Sequence, residues 1–132
     1  MHEFSIAAAL VAQLQDVARA QRATRIVELE LRCGVMQQIV PECLQLAFEA
    51  VSADTLVAGA RLKIVEETVV ARCRACGLEF QAAIDNYLCT RCQTADVEIM
   101  AGRDITLRTV VCVGLLLLLM LRVEVAKNRV GR

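Results

Sequence analysis

Cys73-Arg74-Ala75-Cys76, twelve further residues, then Cys89-Thr90-Arg91-Cys92: this stretch decides the architecture. Two residues between paired cysteines let both thiolates reach one tetrahedral ion, and two such pairs close its coordination shell. A closed four-thiolate shell marks structural zinc, because catalytic zinc keeps one position open. Cys73, Cys76, Cys89 and Cys92 are therefore the expected Zn(II) ligands. Gly77 follows the first pair, where the chain commonly needs a residue tolerant of positive φ. The gap is slightly shorter than the generic spacing between two such pairs but long enough for a hairpin. A redox dithiol is the competing reading of a Cys-x-x-Cys pair.

Regular periodicity vanishes across residues 72–96 and returns on either side. Upstream, residues 4–20 read as an amphipathic helix, with Ile6, Leu10, Leu14 and Val17 on one stripe. Residues 25–33 alternate, Val27, Leu29 and Leu31 against Glu28, Glu30 and Arg32, as a half-buried strand does. Gly34 marks a break. Pro41 suits the first position of a helix over 41–52, with Leu44, Ala47, Phe48 and Val51 inward. Residues 53–60 read as a turn and 61–71 as a strand. Downstream, strand patterns appear at 97–100 and 105–111. The expected fold is α+β: a small mixed sheet with two helices, carrying an inserted four-cysteine zinc-ribbon module. Residues 1–70, completed by strand 97–111, form one lobe, 71–96 the zinc module, and 112–132 an atypical apolar and basic tail.

Within that tail, Val110 to Leu121 is an apolar run that includes Leu115–Leu119. A membrane span needs about 20 such residues, and Arg122 and Glu124 end the run too early. A buried strand or helix is the expectation.

Composition narrows the function classes. The chain has 132 residues, 57% hydrophobic but only 3% aromatic, so its core is aliphatic. Fifteen basic residues balance fifteen acidic ones, which leaves no electrostatic footprint for a nucleic-acid backbone. Inside the zinc stretch, Arg72, Arg74 and Arg91 are outnumbered by Glu79, Asp85, Asp96 and Glu98. A four-thiolate zinc centre adds further negative charge. Nucleic acid is thus disfavoured as a partner. Seven cysteines, an odd count, without a secretory signal pattern read as reduced thiols plus a metal in the cytoplasm. Cys33, Cys43 and Cys112 read as buried, inert thiols. No nucleophile–base pair or phosphate loop is visible, so no catalytic residues are expected.

The single histidine, His2, stands in Met1-His2-Glu3. The Met1 α-amine and the His2 backbone nitrogen close a five-membered chelate, and that nitrogen with His2 Nδ1 a six-membered one. The Glu3 amide or carboxylate offers a fourth donor. Planar, nitrogen-rich coordination suits Ni(II) or Cu(II) rather than zinc. An isolated second-position histidine is weak evidence. Here a helix begins immediately after it, which holds the terminus on a packed element.

Taken together, Met1-His2-Glu3 before Phe4-Ser5, Gly34, Pro41-Glu42, Leu44, Ala47-Phe48-Glu49, Gly59-Ala60-Arg61-Leu62, Ala71-Arg72-Cys73 and the paired cysteines resemble the HypA/HybF family of hydrogenase nickel-incorporation proteins. The resemblance covers residues 1 to about 110. It implies a non-enzymatic nickel metallochaperone: Met1, His2 and Glu3 carry Ni(II), and Zn(II) is structural. Partners would be the family's GTPase companion and the large subunit of a nickel–iron hydrogenase; some members also serve urease. Members are monomers or dimers, so a homodimer is open. The loop 35–40 departs from the pattern, having no His, Asp or Glu, and so does the tail beyond about residue 111. The rival reading is a zinc-ribbon adaptor that binds protein or nucleic acid without moving nickel.

Overall fold

The computed structural model describes residues 2–114 and 120–130, the side chains of 2, 120, 121 and 126–128 excepted. The elements run α1 (His2–Ala20), β1 (Ala23–Gly34), a 3-10 turn (Val35–Gln37), α2 (Pro41–Ser52), β2 (Arg61–Glu67), β3 (Val69–Cys73), β4 (Glu79–Ala82), β5 (Val97–Ala101), β6 (Ile105–Gly114) and β7 (Met120–Arg129). The chain forms two units. The larger comprises Met1–Arg32, Ile39–Val65 and Ile105–Arg132, the smaller Cys33–Gln38 and Glu66–Asp104. The fold is α+β: two helices with one four-stranded sheet, ordered β2-β1-β6-β7, and one three-stranded sheet, ordered β4-β3-β5.

In the larger unit α1 packs on α2. Their inward stripes, Ile6, Ala7, Leu10, Val11, Leu14 and Ala18 with Leu44 and Phe48, are buried together with Ile26, Leu29 and Leu31 of β1 and Leu107, Val110 and Cys112 of β6. Alanines on α1 favour the helix and keep its buried face small. In β1 the buried residue ahead of Leu29 is Ile26 rather than the Val27 that strict alternation selects. The Ile26 N–H donates to the Leu56 carbonyl at 3.0 Å, off the regular ladder. Glu28 and Glu30 face Arg61 and Lys63 of β2 at 3.8 and 4.0 Å, so that side of the sheet is solvated. α2 ends where Thr55 Oγ1 donates to the Ser52 carbonyl at 2.6 Å and Asp54 turns through φ 63°.

The expected strand 61–71 is instead two strands in different sheets, β2 and β3, divided at Thr68. The physical reason lies in the smaller unit. Gly102, at φ 92°, packs its backbone on Thr68 and Val69; a Cβ there would lie 2.7 Å from the Thr68 carbonyl oxygen and the Val69 Cα. Gly34 in turn packs on Gly102. The Gly34 N–H donates to the Asp104 carbonyl at 2.9 Å and the Met36 N–H to the Gly102 carbonyl at 3.0 Å. Three backbone segments are thus stacked with no room for a side chain. Gly34→Ala would press its methyl into the Gly102 carbonyl group. It should destabilise the smaller unit by about 3 kcal/mol or more, the upper range for overpacking. Loss of amide protection across 66–104 measures that.

Of the segment 97–111, Val97–Ala101 is β5, antiparallel to β3, while β6 lies in the four-stranded sheet. The tail contributes a strand: β7 pairs antiparallel with β6 from Thr106↔Arg129 to Val113↔Met120. Of the apolar run, Val110–Gly114 closes β6 and Met120–Leu121 opens β7; Leu115–Leu119 lie outside the described residues. Among the described residues no helix is long and apolar enough to cross a membrane.

Candidate metal centre

Cys73 ends β3, buried; Cys76 follows in a tight turn; Cys89 is buried and Cys92 exposed on a second turn. The four Sγ atoms lie within 4.8 Å of one another. Cys73 and Cys92 sulfurs are 3.4 Å apart, Cys76 and Cys89 sulfurs 3.6 Å. A tetrahedron with zinc–sulfur bonds of about 2.3 Å has edges of about 3.8 Å. The cage therefore has the size and donor chemistry of a structural zinc site.

The two turns are built alike. The Cys73 N–H donates to the Leu78 carbonyl at 2.9 Å and the Cys89 N–H to the Thr94 carbonyl at 3.0 Å. Gly77 N–H returns to the Cys73 carbonyl, and Gln93 N–H to the Cys89 carbonyl, each at 2.9 Å. Cys76 N–H points at Cys73 Sγ at 3.4 Å, and Cys92 N–H at Cys89 Sγ at 3.5 Å. Backbone N–H groups aimed at sulfur stabilise the thiolate form that a metal needs.

Gly77 and Gln93 occupy the same place in these turns, at φ 79° and 65°. The glycine is legible in the sequence; a glutamine gives no such signal. A non-glycine residue in the left-handed region costs about 1–2 kcal/mol. Gln93 is exposed, so Gln93→Gly should stabilise the zinc-loaded smaller unit by about 1 kcal/mol. A rise in its melting temperature checks this, and a fall would show that the side chain contributes.

Electrostatics favour a cation. The Leu78 N–H, then the Arg91 side chain, lower the Cys76 thiol to about 6. The Cys92 N–H lowers Cys89 as well. Cys92 runs the other way: the Thr94 N–H lowers it, but the Cys73 and Cys89 sulfurs and desolvation push it up to about 11. Four sulfurs so close cannot all ionise without a cation between them.

The arginines of the module are engaged internally. Arg72 pairs with Glu79 at 2.9 Å and Arg74 with Asp96 at 3.0 Å, while Arg91 donates to the Cys76 carbonyl at 3.0 Å. They brace the turns and the sheet.

Cys33, Cys43 and Cys112 lie outside this cage. Burial, then the nearby Glu66 charge, raise Cys33 to about 11, and burial raises Cys112, as suits inert thiols. Cys43, expected to be buried, is exposed on the first turn of α2.

At the other candidate site, Met1 and the His2 side chain lie outside what the structure describes, and His2 opens α1. Glu3 is half-buried, and its Oε2 accepts the Val40 N–H at 3.3 Å. Val40 is the N-cap position of α2 and no side chain of α2's own caps it. A carboxylate beside a helix N-terminus complements its dipole. This link, between residues 37 apart in sequence, ties the start of α1 to the start of α2. Sequence periodicity carries no sign of it.

The model for the family described as "Hydrogenase/urease nickel incorporation, metallochaperone, hypA" matches residues 1–112. The chain belongs to the HypA family. The hydrogenase maturation factor HypA of Chlorobium limicola is 36% identical over 110 residues, which are 83% of this chain and 95% of the relative. The Picosynechococcus factor of the same name is 36% identical over 109 residues, 83% and 96% of the two chains. Among solved structures, the Ni metallochaperone HypA of Helicobacter pylori superposes with a TM-score of 0.68 at 27% identity, over 87% of this chain and 100% of that one. The HypA family is one of metallochaperones, with nickel as cargo, and the four-cysteine cage fits its structural zinc.

Proposed function

We propose that this chain binds Ni(II) through Met1, His2 and Glu3 and helps insert it into the large subunit of a nickel–iron hydrogenase. A structural Zn(II) is held by Cys73, Cys76, Cys89 and Cys92. The larger unit acts as the nickel lobe, and the smaller unit carries the zinc module at 71–96. A maturation GTPase exchanges nickel with the chain in the cytoplasm, and no step of catalysis is assigned to it.

The observation that carries the reading is the family match, which begins at residue 1 and so includes Met1-His2-Glu3. Two physical facts support the ligand set. The first N–H groups of a helix have no intrahelical carbonyl to lose, so the His2 and Glu3 amides can turn toward a metal without breaking α1. The Glu3 carboxylate accepts the Val40 N–H, which holds the start of α1 at the start of α2 and so keeps the terminal donors from fraying. Deprotonated amide nitrogens select Ni(II) or Cu(II) over zinc and make affinity rise with pH.

The test of function is delivery. Nickel-loaded chain is mixed with metal-free hydrogenase large subunit and the GTPase, and transferred nickel is counted. The native chain should transfer nickel; His2→Ala, with zinc retained, should not. Equal transfer by both would overturn the assignment.

A further inference from the structure

We propose that β7 is an edge cap: it fills a strand-addition site on β6 that would otherwise take β6 of a second copy of this chain. The inference is independent of the nickel reading.

In the sheet order β2-β1-β6-β7, β7 is, among the described residues, the only strand on the outer side of β6. It stands apart from what the family shares. The family match ends at residue 112, and all of the Helicobacter pylori chain superposes on 87% of this one. The α+β core is therefore complete without β7, and β6 is the outer strand of that core.

As an outer strand, β6 is poorly protected. It is ten residues long, Ile105–Gly114, with Ile105, Thr106, Thr109, Val110, Val111 and Val113 β-branched and Arg108 its one charge. A long, apolar, β-branched edge with unpaired N–H and C=O groups is a template for another strand. The opposite edge of the sheet, β2, carries exposed Arg61, Lys63 and Glu66 and needs no cover. β7 gives the β6 side the same protection. It pairs Thr109↔Glu124, Val110↔Val123, Val111↔Arg122 and Cys112↔Leu121, and among its described side chains Arg122, Glu124 and Arg129 are exposed. Charges on the outermost strand discourage further pairing. β7 also shows that the β6 edge accepts an antiparallel strand. β6 of a second copy is the matching occupant, since antiparallel pairing of like with like closes on a two-fold axis.

The experiment uses the full, zinc-loaded chain and a variant carrying Val123→Pro with Glu124→Pro. Adjacent positions in a strand alternate in which N–H meets the partner, so one of the two prolines removes a ladder bond. Sedimentation equilibrium should give a monomer for the native chain and a roughly doubled mass for the variant. Hydrogen exchange in the native chain should show β6 amides protected to the same degree at every protein concentration. A folded variant that stays monomeric, a variant that forms open aggregates, or native β6 protection that grows with concentration would each overturn the proposal. So would an unfolded variant, since β7 would then be an indispensable core strand and not a cap.

Discussion

Removing zinc should unfold the smaller unit and leave the larger one folded. The smaller unit has little else to hold it. Its fully buried side chains are Val69, Ala71, Cys73 and Cys89, and two of these are metal ligands. Ile84, Leu88 and Met100 remain exposed. So small an apolar core cannot offset the entropy of ordering the Glu66–Asp104 segment. Zinc binding to comparable four-ligand sites supplies roughly 10–16 kcal/mol, and that energy is folding energy. A chelator, or Cys73→Ser, should therefore collapse amide protection in β3, β4 and β5. Protection in α1 and α2 should persist, because their buried stripes involve no metal ligand. Protection of β3 that survived metal removal would show that the Gly34–Gly102 stacking alone holds this unit. That result would reduce the metal to an accessory.

His2→Ala should abolish nickel binding without touching zinc. The imidazole closes the second of the two chelate rings, and chelation is what makes a terminal site competitive with water. Loss of an outer-shell partner of a metal ligand already lowers affinity about 10–100-fold; loss of the ligand itself should exceed that. Zinc content is expected to stay at one per chain, because no zinc ligand lies in the larger unit. Stability should change little, as His2 sits at the very start of α1. The visible band of planar nickel should vanish with the binding. Unchanged affinity in the variant would place the cargo elsewhere in the chain.

Local patterns were legible where local chemistry decides structure. The helix at 41–52 follows from Pro41 and the Leu44–Phe48 stripe, and α2 has those bounds. The cysteine spacing alone specified a cage that the four sulfurs form. What escaped the sequence depends on long-range contact. The break at Thr68 comes from Gly102 packing on it, 34 residues away, and no periodicity in 61–71 encodes that. The Glu3–Val40 link is of the same kind. Gln93 escaped because its left-handed backbone is imposed by the second cysteine turn and not chosen by the residue. β7 is the instructive case. Leu121-Arg122-Val123-Glu124-Val125 alternates as a strand should, but the unbroken leucine run before it hides that period.

In the proposed function, nickel is held by the terminal amine of Met1 together with His2. Titration of Ni(II) into the zinc-loaded chain, with and without two residues added ahead of Met1, separates the amine from every other donor. The extension leaves every side chain in place and removes only the α-amine from position one. The native chain should bind one nickel with the absorbance of planar coordination, and the extended chain should bind none at the same concentrations. Equal affinity and an unchanged spectrum in the extended chain would rule out the Met1 amine as a nickel ligand.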